Sequence, residues 1–362
     1  MIAGLSALAG LAYLAHRIYR SFLPNLTARK QKALRWLFAA GVLFAAVLVL
    51  CLTLNFVNAV IVLLHLTLFW LLCDFVFWAV KKLRKRGFVR RLEWIPALLL
   101  TAVYLSYGWV SANRVWIKNY SLSTEKTVEP LRIVMFADAH IGTTFDGEGF
   151  QRQVKRMGEQ VPDAVFICGD FVDEGTSKAD METACAALGR LETTYGVFYV
   201  FGNHDEGAYG SNRGYGGEEL KAELVKNGVN VLEDEGVALG EHFYIAGRRD
   251  RSSNERGTRR AEIADLLSNV PDDKYVIVLD HQPNDYVKES AAGADLVLSG
   301  HTHGGQMIPI GMMSDIFGWN DLNYGYERRE ATDFIVTSGI SDWSILFKTG
   351  CRSEFVVIDI GK

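Results

Sequence analysis

The chain has 362 residues, long enough for one or two domains with a real core; 49% of them are hydrophobic and the formal net charge is −4. The small charge hides an asymmetry: residues 1–112 hold 13 of the 38 Lys and Arg and two acids, Asp74 and Glu93, whereas residues 113–362 hold 25 basic against 40 acidic side chains. The second part, at −15, offers no basic face for a nucleic-acid backbone, and five scattered cysteines without a CxxC spacing argue against a disulfide framework or a zinc finger.

Residues 1–112 read as membrane-spanning. Trp36–Val80 runs 45 residues without Lys or Arg, interrupted by Asp74 and a polar pause at Asn55 and Asn58. A span needs about 20 apolar residues, so the run predicts two helices, 34–54 and 57–80, joined by a tight turn. A further span is expected at 92–112. Residues 2–19 read as a fourth, with an interfacial helix as the alternative; a signal peptide fits poorly because no basic segment precedes the apolar part. Arg17, Arg20, Arg29, Lys30, Lys32 and Arg35 precede the two-helix run, and Lys81, Lys82, Arg84, Lys85, Arg86, Arg90 and Arg91 follow it. Basic loops stay cytoplasmic, so the expected product is a multi-pass protein of the cell membrane whose residues 113–362 lie on the extracytoplasmic side. Asp74, near Lys81 and Lys82, reads as a snorkelling or paired residue rather than as part of an ion path.

Residues 113–130 read as a polar linker. From 131 to 362, short apolar runs alternate with amphipathic ones. Strands are predicted at 131–137, 164–167, 197–201, 229–232, 243–246, 275–279, 295–298, 334–337 and 355–360, with helices near 150–160, 178–193, 218–227, 258–268 and 284–291. Alternation of this kind predicts a layered α/β domain. Gly210–Gly217 lacks a GKS or GKT signature and reads as a surface loop.

Five strands end in the same chemistry: Asp138-Ala-His140, Gly169-Asp170-Phe-Val-Asp173, Gly202-Asn203-His204-Asp205, Asp280-His281, and Gly300-His301-Thr-His303-Gly-Gly-Gln306. In α/β sheets ligands collect at the carboxyl ends of strands. Any one group alone is better read as turn residues; five together predict a shared site. Extended backbone would point His301 and His303 to one side. Imidazole mixed with carboxylate favours Zn, Mn or Fe over an all-oxygen calcium site, and seven ligands exceed the need of one ion.

The five blocks, in this order, resemble those of the calcineurin-like metallophosphoesterase superfamily, and the Gly-His-Thr-His-Gly-Gly-Gln form after membrane spans is similar to its bacterial membrane-associated branch. The resemblance covers about residues 130–362. It implies an N-terminal transmembrane α-helical segment followed by an αββα four-layer sandwich that holds two divalent ions. By matched positions, Asp138, His140, Asp170 and His303 would bind one ion, and Asp170, Asn203, His281 and His301 the other. His204 would be the catalytic, non-ligand histidine, oriented by Asp205. The expected activity is hydrolysis of a phosphate ester, a phosphodiester or pyrophosphate of a lipid or envelope precursor, by attack of metal-activated water. Where relatives carry a Pro-rich, Arg-containing stretch near the C-terminus, this chain has Ser338–Lys348 with no Pro and one Lys, which leaves the substrate pocket open. Phe317 and Trp319, in the apolar segment Met307–Trp319, are the candidates for substrate binding, with lipid contact or an internal hairpin as the two readings of that segment. The competing functions are a catalytically silent metal-dependent scaffold, which would lack a ligand, and a sensor or transporter led by the membrane half.

Overall fold

The computed structural model describes residues 2–21, 29–84, 94–207, 213–254 and 257–361. Parts of the basic loops (Lys85, Arg86, Arg90 and Arg91) and Gly210 lie outside the described residues. The chain divides into two units, Met1–Gly108 and Trp109–Lys362.

The first unit consists of long helices: α1 (Ile2–Ser21), α2 (Arg29–Leu54), α3 (Phe56–Arg84) and most of α4 (Trp94–Asn113). Among the described residues, three helical stretches, Gln31–Leu54, Phe56–Leu83 and Trp94–Asn113, are long and apolar enough to cross a membrane. Asn55, at positive φ, makes the expected break between α2 and α3, and its side-chain oxygen accepts from the Asn58 backbone N–H at 3.0 Å. Asp74 is a paired residue, as one of its two readings has it. Its carboxylate takes Arg17 at 2.6 Å and the Tyr13 hydroxyl at 2.7 Å, both from α1. Gly10 of α1 meets Thr67 of α3, where an added Cβ would lie 3.1 Å from its hydroxyl oxygen. The two helices therefore run parallel, Gly10 by Thr67 and Arg17 by Asp74.

The second unit follows from strands that are apolar on both faces. Leu131–Phe136 (β2) turns Leu131, Ile133 and Met135 to one side and Val134 and Phe136 to the other, all buried. A strand of that kind must be covered twice. The order continues as α5 (Gly147–Gly158), β3 (Ala164–Cys168), α6 (Lys178–Leu188), β4 (Gly196–Val200), α7 (Gly217–Lys226), β5 (Val229–Val231), β6 (Glu235–Leu239), β7 (Phe243–Gly247), α8 (Ile263–Leu267), β8 (Tyr275–Leu279), α9 (Tyr286–Ala291), β9 (Leu296–Ser299), α10 (Ile310–Phe317), β10 (Gly325–Arg329), β11 (Thr332–Val336) and β12 (Glu354–Ile360). A first strand, β1 (Trp116–Leu122), precedes them. One sheet has the order β1-β12-β2-β3-β4-β5 and the other β10-β11-β9-β8-β7-β6. Met135, Phe166 and Phe198 of the first pack against Ile277, Leu298 and Ile335 of the second. On the outer faces, α5, α6 and α7 cover the first sheet and α8 and α9 the second. The result is the expected αββα sandwich.

Two expectations need correction. Residues 113–130 are not all linker, because β1 pairs in parallel with β12 from Trp116↔Glu354 to Leu122↔Ile360. Its Lys118, Asn119 and Ser121 face solvent at a sheet edge, so it lacks the apolar run that marks the inner strands. Nor is Met307–Trp319 an internal hairpin. It contains α10, whose large apolar side chains are exposed.

Candidate metal centre

Asp138 and His140 follow β2, Asp170 follows β3, Asn203 follows β4, His281 follows β8, and His301 and His303 follow β9. Parallel β2-β3-β4 in one sheet and β8-β9 in the other bring these strand ends to one edge of the sandwich. The backbone there is strained. Asp138 (φ 55°), His140 (37°), Asp170 (53°), His301 (69°) and His303 (48°) are all left-handed. For non-glycine residues this costs roughly 1–2 kcal/mol each, and such strain persists where the surroundings impose it. The motif glycines serve close approach: a Cβ on Gly202 would lie 2.2 Å from Asp170 Oδ1, and one on Gly300 would lie 2.4 Å from Ala137 Cβ.

The side chains form two groups. Asp138, His140 and His303 bring donor atoms within 4.8 Å of one another, and so do Asp170, His281 and His301. His301 and His303 therefore part company, because their left-handed backbones break the extended geometry that would have aimed both rings one way. Asp170 stands between the groups: its Oδ2 is 3.0 Å from His281 Nε2 and 3.9 Å from His140 Nε2. Asn203 Oδ1 lies 3.1 Å from the same His281 nitrogen. The Cys168 carbonyl, 2.7 Å away, accepts from His281 Nδ1 and so leaves the lone pair on Nε2, facing the site.

The electrostatics are those of a cluster that needs a cation. Burial pushes the Asp138 carboxyl up to about 7, and pushes the His140 and His301 imidazoles down to about 4. Burial disfavours the His281 imidazolium too, but Asp170 beside it carries that ring well above its usual value. Both ring nitrogens of His140, and Nδ1 of His303, are buried and find no hydrogen-bond partner among the described residues. An unpaired buried nitrogen costs about 1–3 kcal/mol, a penalty that bonding to a cation removes. The donors are imidazole nitrogens, carboxylates and one amide oxygen, a set suited to Zn, Mn or Fe. The residues fit a divalent metal.

The calcineurin-like phosphoesterase family matches residues 131–305, from the start of β2 to just past His303. An uncharacterized metallophosphoesterase of Aquifex aeolicus is 34% identical over 211 residues, covering 57% of this chain and 76% of that protein. The chain belongs to the calcineurin-like metallophosphoesterases. Another uncharacterized relative, from Campylobacter jejuni, is 28% identical over 307 residues, or 82% of this chain and 78% of its own. A Danio rerio transmembrane protein with a metallophosphoesterase domain is 29% identical over 277 residues, covering 73% and 62% respectively. This phosphoesterase is therefore a metal-dependent hydrolase of phosphoric esters, and its apolar helices associate it with membranes.

Around the two groups the structure departs from the expected roles. The Asp205 carboxylate is occupied by backbone: it accepts from the N–H groups of Gly202, Asp170, Phe171 and Val172 at 2.7–3.0 Å. It shapes two metal-site loops, and among the described residues it makes no hydrogen bond to the His204 ring. That ring instead places Nδ1 2.9 Å from Glu174 Oε1, with His140 edge-on at 4.9 Å and Trp343 at 5.4 Å between ring centres. Glu174 was not singled out, since a glutamate after the GDFVD block carries no signal of its own. Arg213 was missed as well. It lies buried in the supposed surface loop and donates to the backbone carbonyls of Asp173, His204 and Asp205. Lys348 is wholly buried, donating to the Ser338 and Ser341 carbonyls at 2.7 and 2.8 Å, so it braces the C-terminal loop.

Beside His301 and Asn203 a cleft of about 400 Å³ opens, lined also by Arg251, Ser252, Gln282, Asn284, Trp319 and Asn320. Trp319 thus stands at the candidate pocket. Phe317 does not line it, but stacks on Trp319 with ring centres 6.0 Å apart.

Proposed function

We propose that this protein is a multi-pass membrane phosphoesterase whose second unit works on the extracytoplasmic side. Its substrate is a phosphodiester or pyrophosphate of a lipid or envelope precursor. Asp138, His140, Asp170 and His303 would hold one divalent ion, and Asp170, Asn203, His281 and His301 the other. The observation that supports the reading is the pair of adjacent donor groups, with Asp170 of the second group also 3.9 Å from His140 of the first. Two such ions, when bound, supply Lewis acidity toward phosphoryl oxygens and acidify water. The protein groups do the rest. His204, its Nδ1–H held by Glu174, presents the opposite nitrogen for proton donation to the leaving oxygen. Arg251 offers the cleft a fixed cation for non-bridging oxygens, and Asn284 and Asn320 offer amides. In a unit of charge −15, these groups and the ions make an anionic substrate acceptable. The basic loops support the orientation, and the alignment of α1 with α3 supports a fourth span.

The test is direct. The full chain in detergent should hydrolyse an aryl phosphodiester, lose activity to a chelator, and regain it with Mn or Zn. A reporter active only outside the cytoplasm should work when fused after Lys362 and be silent within 81–91. Activity unaffected by chelation would refute the metal mechanism, and the reverse reporter pattern would refute the orientation.

A further inference from the structure

Helix α10 breaks the ordinary rule of burial. A short surface helix normally turns its large apolar residues inward. Here the buried face is small and polar: Ser314 is 3% exposed, and Gly311 sits so near Gly305 that a Cβ on Gly305 would lie 2.2 Å from its Cα. The large side chains point out, with Ile316 74% exposed, Phe317 63%, Met312 60% and Trp319 55%; Ile308 and Ile310 extend the patch. Contiguous exposed apolar area of this kind marks a contact surface.

The patch is held firmly rather than hanging loose. At its base the Gln306 side chain donates to Asp342 at 3.0 Å and to the Phe347 carbonyl at 3.1 Å, while the Gln306 carbonyl accepts from Thr349 N–H at 3.0 Å. At its far end the Asn284 amide donates to the Trp319 carbonyl at 3.3 Å and to Asn320 Oδ1 at 3.2 Å. Asn284, Trp319 and Asn320 all line the metal-site cleft. The apolar patch and the mouth of the cleft are thus one continuous surface.

We propose that α10 is a membrane-docking helix, which lies in the headgroup–acyl boundary and opens the cleft onto the bilayer surface. The proposal rests on the reading of the cleft as the substrate site. The occupant is a lipid surface for three reasons. First, eight residues make a helix about 12 Å long, too short to span but suited to lying in the interface, where Trp settles favourably. Second, Met307–Trp319 has no Lys or Arg and one acid, Asp315, so the contact is apolar and does not select anionic lipid. Third, the membrane-length helix α4 ends at Asn113 and β1 begins at Trp116. The three peptide steps between them reach at most about 11 Å, so the chain enters its first strand within that distance of the end of a membrane-length helix.

The experiment uses the full chain in phosphatidylcholine nanodiscs. An environment-sensitive fluorophore is placed at Ile316→Cys and, as a control, at Val225→Cys, an exposed position on α7. The label at 316 should be blue-shifted and quenched by doxyl-labelled lipid, with little change on adding anionic lipid, while the label at 225 should be quenched by aqueous iodide. Iodide quenching at both positions would overturn the proposal, and so would a shift at 316 that grows with the number of chains per disc, which would mean that a second copy covers the helix. This arm does not depend on hydrolysis. In a second arm, Met312→Ser with Ile316→Ser should lower kcat/KM about tenfold on a long-chain phosphodiester in the disc, yet leave a soluble aryl phosphodiester unchanged. Equal loss on both substrates would overturn it. If wild type hydrolyses neither, the functional reading fails while the quenching result still decides the docking.

Discussion

The metal site and α10 invert the same rule in opposite directions. At the strand ends, charged and polar side chains are buried on a strained backbone: Asp138 and His140 are wholly covered, and five candidate ligands have positive φ. On α10, a few residues beyond His303, isoleucines, methionines and aromatics stand in the open. Neither arrangement stabilises an isolated soluble domain. Under the two proposals above, each would become favourable with a partner, cations in one case and lipid in the other. The contrast teaches where function sits in this chain: where the local sequence disagrees with the burial that folding alone would choose.

The sharpest way to break the polar half of the contrast is Asp170→Asn. Removing the charge between the two groups should release both ions and abolish measurable hydrolysis, a loss of about 10³-fold or more, read by metal analysis and turnover. Retention of one full ion would mean that the groups are independent. His204→Ala should come next, cutting kcat by roughly 10²–10⁴-fold while metal content stays normal. Loss of metal in that variant would make His204 a ligand. Glu174→Gln should cost less, about tenfold in kcat with little change in KM, because the ring remains and only its orientation loosens. If Asp205→Asn alone behaved so while Glu174→Gln did nothing, the pairing drawn from the structure would be wrong. The smallest effect concerns the frame. Gly202→Ala forces a methyl against Asp170 and should lower stability by roughly 1–3 kcal/mol in chemical denaturation.

Much of this was legible in advance, for reasons that also explain the gaps. Inner strands such as β2, β3 and β8 are covered on both faces and so carry unbroken apolar runs. The strands that escaped notice, β1, β6 and β10, are all sheet edges. Each pairs on one side only, and the exposed Lys118, Asn119, Glu235 and Arg328 interrupt any pattern. Helix α10 was hidden for a different reason: it is short, and its small residues Gly311 and Ser314 turn inward while the large apolar ones face out, the reverse of the stripe by which a surface helix is read. The seven candidate ligands could be read because Asp, Asn and His recurred after successive strands. The partner of His204 could not. Asp205 is adjacent in sequence, but a tight turn sends its carboxylate beneath the loop to four backbone N–H groups, and Glu174 arrives from a different strand end.

The central claim is that the two donor groups hold two ions through a shared Asp170. Elemental analysis of the full chain, purified in detergent without chelator and compared with Asp170→Asn, tests it most directly. The account predicts about two divalent ions per wild-type chain and loss of both in the variant, with the helical content of the two proteins equal by circular dichroism. One ion or none in wild type after saturation with Mn or Zn, or two ions retained in the variant, would contradict it.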